Sequence, residues 1–347
     1  DFGHRIVAQR YFSLPRAVAY GTMERFNDER MFMSRIQATV AEVTALGPEI
    51  KSFKLSADDA VFKAAAPGAH IDVFLPNGMV RQYSLWDWAE DGSWCAIGVK
   101  GEEKGRGGSA WLHDNLKLGD QIEVGEIRNN FALDESASGY ALFAGGIGVT
   151  PMVAMARRLK ELGKPMQFFY LARNEAAAGF TPILDNLALG SSLLQHFDDR
   201  DGLLDIKGHL DGLDAGTQVY FCGPEGLLNA VLSHTEAWAS DRVHFERFSG
   251  DPTKLDAPTD GFELVLHQSG ETLHIPENET ILDVLMENGH NPDFGCMDGV
   301  CGSCTLSVIE GEVDHRDSTL TPEEHDMDGT MCICVSRAKG SRLVIDL

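Results

Sequence analysis

The chain has 347 residues, 43% of them apolar, which suits two or three cores and excludes a disordered polymer. Its 29 Lys and Arg against 53 Asp and Glu give a net charge of −24, arguing against nucleic acid or an anionic membrane as the main partner. The acid is unevenly placed: residues 262–347 hold 17 Asp/Glu and 4 Lys/Arg, a net of −13.

Residues 1–33 form an N-terminal extension with no clear apolar period, five Arg and four acids, read as a tail or a docking arm. Residues 34–136 then predict short strands at Ile36–Val43, Ile50–Leu55, His70–Leu75, Val80–Leu85, Trp94–Lys100 and Gln121–Val124. Turn signals separate several of them, at Pro76-Asn77-Gly78, Asp91-Gly92 and Leu118-Gly119-Asp120, and such spacing predicts a small antiparallel β-barrel.

Ser136–Ala156 runs 21 residues without a charge. Its middle, Ala144-Gly145-Gly146-Ile147-Gly148-Val149-Thr150-Pro151, reads as strand, glycine turn and helix start rather than a membrane span. Residues 137–248 therefore predict an α/β unit. Its strands are Tyr140–Ala144, Met166–Leu171 and Gln218–Cys222, with helices over Pro151–Leu162 (ended by Gly163) and Glu225–Ala237. Continuous apolar strands alternating with helices imply a parallel sheet. A polar Pro/Gly linker, 249–261, follows. Beyond it lie a hairpin, Phe262–Leu266 and Thr272–Ile275, and a helix Ile281–Asn288 capped by Thr280 and ended by Gly289.

Five of seven cysteines fall between 296 and 334, with Cys95 and Cys222 isolated. An odd count without a signal peptide predicts a reducing, cytoplasmic compartment. Cys296-x4-Cys301-x2-Cys304 has the spacing of a plant-type 2Fe–2S loop, and Gly295, Gly299, Gly302 and Ser303 let its backbone approach inorganic sulfur. A structural zinc site would show paired C-x2-C units instead. The fourth thiolate comes from Cys332 or Cys334, after 27 or 29 intervening residues. Strand alternation would let only one face the cluster; Cys334 is taken as the ligand and Cys332 as a buried apolar thiol. Residues 262–347 as a whole resemble plant-type ferredoxins.

The remaining signals are glycine loops. Gly145-Gly146-Ile147-Gly148 joins a strand to a helix N-terminus, which offers free N–H groups to a pyrophosphate or simply allows tight packing. Phe221-Cys222-Gly223-Pro224 ends a later parallel strand, where open α/β sheets bind ligands. In the barrel, Arg81-Gln82-Tyr83-Ser84 closes a strand. Gly105-Arg106-Gly107-Gly108-Ser109 precedes a helix Ala110–Leu116 with Ser109 as its N-cap, a second phosphate cradle in appearance.

The order R-x-Y-S, G-R-G-G-S, A-G-G-I-G-x-T-P, C-G-P and C-x4-C-x2-C…C resembles the phthalate dioxygenase reductase and vanillate O-demethylase reductase family over residues 34–347. The resemblance implies a multidomain fold: an antiparallel β-barrel flavin domain (34–136), an α/β parallel-sheet nicotinamide domain (137–248) and an α+β plant-type ferredoxin (β-grasp) domain (262–347). It implies FMN held by Arg81, Tyr83, Ser84, Val99, Lys100, Gly107, Gly108 and Ser109, with Ser84 near the flavin N5 and Phe248 covering the ring. It implies NADH at Gly145, Gly146, Gly148, Thr150, Pro151, Arg173, Cys222, Gly223 and Pro224, and a 2Fe–2S cluster on Cys296, Cys301, Cys304 and Cys334. G-R-G-G-S favours FMN over FAD. Asn174-Glu175 after Arg173, with Asp198-Asp199 nearby in sequence, favours NADH over NADPH.

The expected function is an NADH-dependent reductase passing electrons from FMN through the cluster to a Rieske-type oxygenase, which its acidic ferredoxin domain would meet. A diaphorase feeding another acceptor and a redox-sensing iron–sulfur flavoprotein are the alternatives. No acid–base triad is visible, and His70 and His113 read as structural.

Overall fold

The structure is a computed structural model that describes residues 35–76, 78–102, 107–250, 252–255, 260–319 and 329–347. The extension 1–33, Asn77 of the first turn, Gly105 and Arg106 of the glycine-rich segment and parts of the linker lie outside the described residues.

Six antiparallel strands close a barrel in the order β1-β2-β5-β4-β3-β6. They are β1 (Ile36–Ala45), β2 (Ile50–Ser56), β3 (His70–Phe74), β4 (Val80–Trp88), β5 (Trp94–Lys100) and β6 (Gln121–Arg128). Closure leaves no free sheet edge. Phe53, Leu55, Ile71, Leu85, Ile97, Val99 and Val124 fill the interior. The Asp91-Gly92 turn forms as expected: Gly92 sits at φ 78°, and Asp91 Oδ1 accepts the Ser93 N–H at 3.0 Å.

The second unit is a five-stranded parallel sheet in the order β11-β10-β7-β8-β9. It comprises β7 (Gly139–Gly145), β8 (Met166–Ala172), β9 (Leu193–Phe197), β10 (Thr217–Cys222) and β11 (Val243–Glu246). Helices Val149–Glu161 and Glu225–Thr235 follow β7 and β10. Gly163, at φ 65°, stops the first of these. The edge strands β9 and β11 were not anticipated; being short and partly exposed, they lack the continuous apolar run of a central strand. This unit packs on the barrel through the Trp86–Phe180 edge-to-face pair (5.7 Å) and the Arg157–Asp87 ion pair at 2.5 Å.

The third unit begins with the predicted hairpin, β12 (Phe262–Leu266) and β13 (Thr272–Ile275). Then come β14 (Thr305–Glu310), β15 (Val313–Asp314), β16 (Thr330–Cys332), β17 (Arg337–Ala338) and β18 (Arg342–Ile345). Five of them form a mixed sheet, β13-β12-β18-β14-β16, with β12 and β18 parallel, while β15 pairs with β17. Helix Ile281–Glu287 closes the core, started by a capping box in which Thr280 Oγ1 accepts the Asp283 N–H at 3.0 Å.

Candidate functional site

The three units meet at a cavity of about 370 Å³. The barrel supplies His70, Arg81 and Ser84, the parallel sheet Glu246 and Phe248, and the cysteine loop Cys296.

One end of the cavity is an anion cradle. Helix Gly108–Asn115 starts two residues earlier than Ser109 capping would require: Gly107 occupies the N-cap position at φ 88°, with no side-chain cap. Ser109 is therefore not the N-cap; its Oγ accepts the Glu102 N–H at 3.2 Å. A Cβ added to Gly108 would lie 2.6 Å from Arg81 Nε, so only a glycine lets the guanidinium cross the helix start. Backbone N–H groups and one cation face the same space, the donor set a phosphate requires.

Tyr83, Val99 and Lys100 do not line the cavity. Tyr83 packs against the barrel core, where burial pushes its phenol well up. The Val99 side chain is fully buried in that core, and its carbonyl meets His113 Nε2 at 3.0 Å. Lys100 pairs with Glu102 at 2.5 Å. His113 is thus structural, as expected. His70 differs in its setting: it is 5% exposed, lines the cavity, and neither ring nitrogen has a hydrogen-bond partner among the described residues. Burial, and then the Arg128 charge, pushes its pKa down to about 4, so the ring is neutral at pH 7.

Ser84, 4% exposed, donates to Glu246 Oε2 at 3.2 Å. Desolvation pushes Glu246 up to about 8, and the Ser84 bond only partly offsets it. Parallel pairing sets Glu246 beside Cys222, whose thiol is also driven up by burial. Sequence reasoning missed Glu246. The available signal was an acid ending the last parallel strand, opposite the Cys222 of Cys-Gly-Pro.

The glycine loops expected to hold a nicotinamide lie at the same strand ends. Gly148 has no room for a side chain, since a Cβ would come 2.3 Å from the Cys222 carbonyl. Gly145 and Gly223 also face each other, a Gly223 Cβ falling 2.8 Å from Gly145 Cα, with Pro224 Cδ 2.5 Å from where a Gly145 Cβ would stand. These three glycines press the loop after β7 onto the loop after β10. Gly146, at φ 55° with open space at its Cβ, is the one facing outward. Thr150 and Pro151 are buried at the helix start, Thr150 Oγ1 bonding the Ile147 carbonyl at 3.0 Å. Arg173 is exposed and paired with Glu49 at 3.3 Å.

The five thiols of the third unit are all buried. Among the described residues no three Cys, His, Asp or Glu converge as a single-ion site would need. Instead the thiols fall into two groups, Cys296 beside Cys301, and Cys304 beside Cys332 and Cys334. Two separate groups, one iron to each, suit a two-iron cluster better than a zinc cage. Backbone N–H groups already point at sulfur: Asp298 and Val300 to Cys296 (3.3 and 3.4 Å), Cys296 and Ser303 to Cys301 (both 3.4 Å). The strand-alternation argument for the fourth ligand does not hold, because β16 ends at Cys332 and Cys334 lies in the following turn.

Comparison with known proteins agrees with this geometry. Residues 264–339 match the family model of the 2Fe-2S iron-sulfur cluster binding domain. Residues 121–242 match the N-terminal domain of dimethylamine monooxygenase subunit DmmA-like proteins. A tetrachlorobenzoquinone reductase of Sphingobium chlorophenolicum is 37% identical, aligned over 91% of this chain and 99% of its own. The vanillate O-demethylase oxidoreductase of a Pseudomonas strain is 35% identical over 90% and 100%. The solved structure of phthalate dioxygenase reductase, described as modular and carrying electrons from pyridine nucleotides to [2Fe-2S], superposes with a TM-score of 0.68 at 35% identity, covering 90% of this chain and 98% of that one. The chain belongs to the phthalate dioxygenase reductase and vanillate O-demethylase oxidoreductase family of oxygenase reductases, which move electrons from pyridine nucleotide through flavin to a 2Fe–2S centre.

Proposed function

We propose that this protein is the NADH-dependent, FMN-containing reductase component of a Rieske-type oxygenase or demethylase system, working in the cytoplasm. The observation that carries this is the shared cavity, on which an anion cradle, Ser84, the Phe248 ring and the first cluster cysteine all open. Arg81, Gly107, Gly108 and Ser109 would hold the FMN phosphate, with Tyr83, Val99 and Lys100 beyond them. Gly145, Gly146, Gly148, Thr150, Pro151, Arg173, Cys222, Gly223 and Pro224 would shape the NADH site, and Cys296, Cys301, Cys304 and Cys334 would bind the cluster.

A bound flavin accepts two electrons as hydride and releases them singly, chemistry that belongs to the cofactor. The protein's part is placement. Ser84, anchored by Glu246, presents its hydroxyl at the junction of barrel and parallel sheet. Phe248, 43% exposed on the cavity wall, covers the place where a nicotinamide ring must enter. Glu246 stays protonated at neutral pH, so no fixed anion opposes delivery of hydride.

Heat-denatured protein should release FMN, and anaerobic NADH should reduce the iron–sulfur absorbance. Recovered FAD, or a lower KM for NADPH, would overturn those parts of the assignment. A second reading has its own support: the relative named tetrachlorobenzoquinone reductase acts on a quinone, as a diaphorase would. Turnover with a Rieske oxygenase that exceeds turnover with a quinone favours the first.

A further inference from the structure

Three neighbouring barrel strands set Ser84, His70 and Arg128 in one row, because His70 is paired with Ser84 of β4 and with Arg128 of β6. Directly paired residues of an antiparallel ladder project from the same face. The row starts at the Ser84–Glu246 bond and ends at the cysteine loop. There Arg128 Nη1 lies 3.5 Å from Ser303 Oγ, and the Ser303 N–H points at Cys301 Sγ from 3.4 Å.

The guanidinium is aimed from behind. Arg128 Nη2 donates to Asp72 Oδ2 at 2.6 Å, and the Asp72 side chain is 2% exposed. Gln82 Nε2 holds the other Asp72 oxygen at 3.0 Å. A carboxylate that deeply buried is costly unless paired, so Asp72 and Arg128 hold each other in place. The planar fork leaves Arg128's second amino group directed at the loop between Cys301 and Cys304. An oxidised 2Fe–2S centre on four thiolates carries about −2, and one more electron adds to it. A cation nearby lowers the cost of that electron.

We propose that Arg128 is the positioning residue for electron exit, fastening the cysteine loop to the flavin barrel and favouring reduction of the cluster through its charge. This rests on the flavin and cluster assignments above. Arg128 itself gains and loses nothing; the two electrons of one nicotinamide hydride leave the cavity one at a time, each adding one to the cluster.

The full-length holoenzyme tests this with Arg128→Met, Arg128→Lys and the double variant Asp72→Asn/Arg128→Met. Cluster potential is read by an EPR-monitored titration, and flavin bleaching and cluster reduction by anaerobic stopped flow. Arg128→Met removes a cation and leaves Asp72 uncompensated, and both effects disfavour the reduced cluster. Its reduction equilibrium should shift at least tenfold, about 59 mV for one electron. Cluster reduction should slow tenfold or more while flavin bleaching stays within twofold. Arg128→Lys should keep the potential and lose the rate, since it retains the charge but not the fork. The double variant removes the anion with the cation, so its potential should move less than in Arg128→Met. Its slowed cluster reduction carries the test if Arg128→Met does not fold, and an unchanged rate there would overturn the proposal. Unchanged potential and cluster-reduction rate in Arg128→Met would overturn the proposal. Wild-type protein lacking labile sulfide or flavin would instead overturn the reading beneath it.

Discussion

Ser84 of the barrel and Glu246 of the parallel sheet, 162 positions apart, share a hydrogen bond of 3.2 Å that ties the two together. Its pH behaviour follows from burial. Glu246 is held protonated up to about 8, against an ordinary value of 4.5. Between those values the folded chain keeps a proton that the unfolded chain has released, so this residue makes the apoprotein less stable as pH rises. Glu246→Gln has no proton to lose. Denaturant midpoints should therefore favour the variant more at pH 8 than at pH 5; parallel curves would show that Glu246 ionises normally. Comparing the two proteins cancels His70, which acts oppositely between about 4 and 6.5.

The anion cradle is tested at Gly108. An alanine there must displace Arg81, whose Nε would stand 2.6 Å from the new methyl. Losing one charge-assisted contact to a phosphate costs about 1.5–3 kcal/mol, so Gly108→Ala should weaken FMN binding by ten- to a hundredfold. Fluorescence titration of the apoprotein measures this. Riboflavin, without a phosphate, should bind both proteins alike, and an equal loss for riboflavin would mean that the cavity itself has collapsed.

Much of this architecture was legible because it rests on local signals. Gly163 stops its helix and Thr280 starts another, each through backbone chemistry confined to a few residues. The cysteine spacing and the order of the glycine loops were equally readable. What stayed hidden depends on tertiary register. Glu246 gains its character from Ser84 and Cys222, both far away in sequence, and His70 from the partners it lacks. The Ser109 cap failed for a local reason: a glycine tolerating φ 88° let the helix begin two residues sooner.

The fourth cluster ligand is decided by two serine substitutions. Cys304 touches both Cys332 and Cys334, so contact between thiols does not separate them. Cys332 sits at the end of β16, fully buried in the third core and bonded to Thr305 Oγ1 at 3.5 Å, the setting of a packing thiol. Cys334→Ser should therefore lose iron and labile sulfide from the purified protein. Cys332→Ser should keep both while lowering the unfolding midpoint. The reverse pattern would exchange the assignments.

Gly148→Ala examines the strand-end packing. Its methyl would stand 2.3 Å from the Cys222 carbonyl and 2.7 Å from the Gly223 nitrogen, both backbone atoms that yield little. Overpacking of this kind costs about 1–3 kcal/mol. The variant should lose stability by that amount and raise the KM for NADH severalfold. Cluster content should not change, because the third unit carries its own core. A stable variant with normal KM would show that the two loops are not pressed together.

The acidic third unit makes a final, ionic prediction. It carries 17 of the 53 acids with only 4 bases, and the cysteine loop belongs to the same unit. A field of one sign around the exit point accelerates encounter with a basic acceptor and is screened over a Debye length of about 8 Å at 0.15 M salt. Reduction of cytochrome c, a basic protein, should fall about tenfold between low and physiological salt, whereas reduction of a neutral quinone should barely change. A flat response with cytochrome c would leave the acid as a solvated surface with no part in docking. A parallel fall with both acceptors would place the salt effect inside the reductase, at the junction between its units, and not at the encounter.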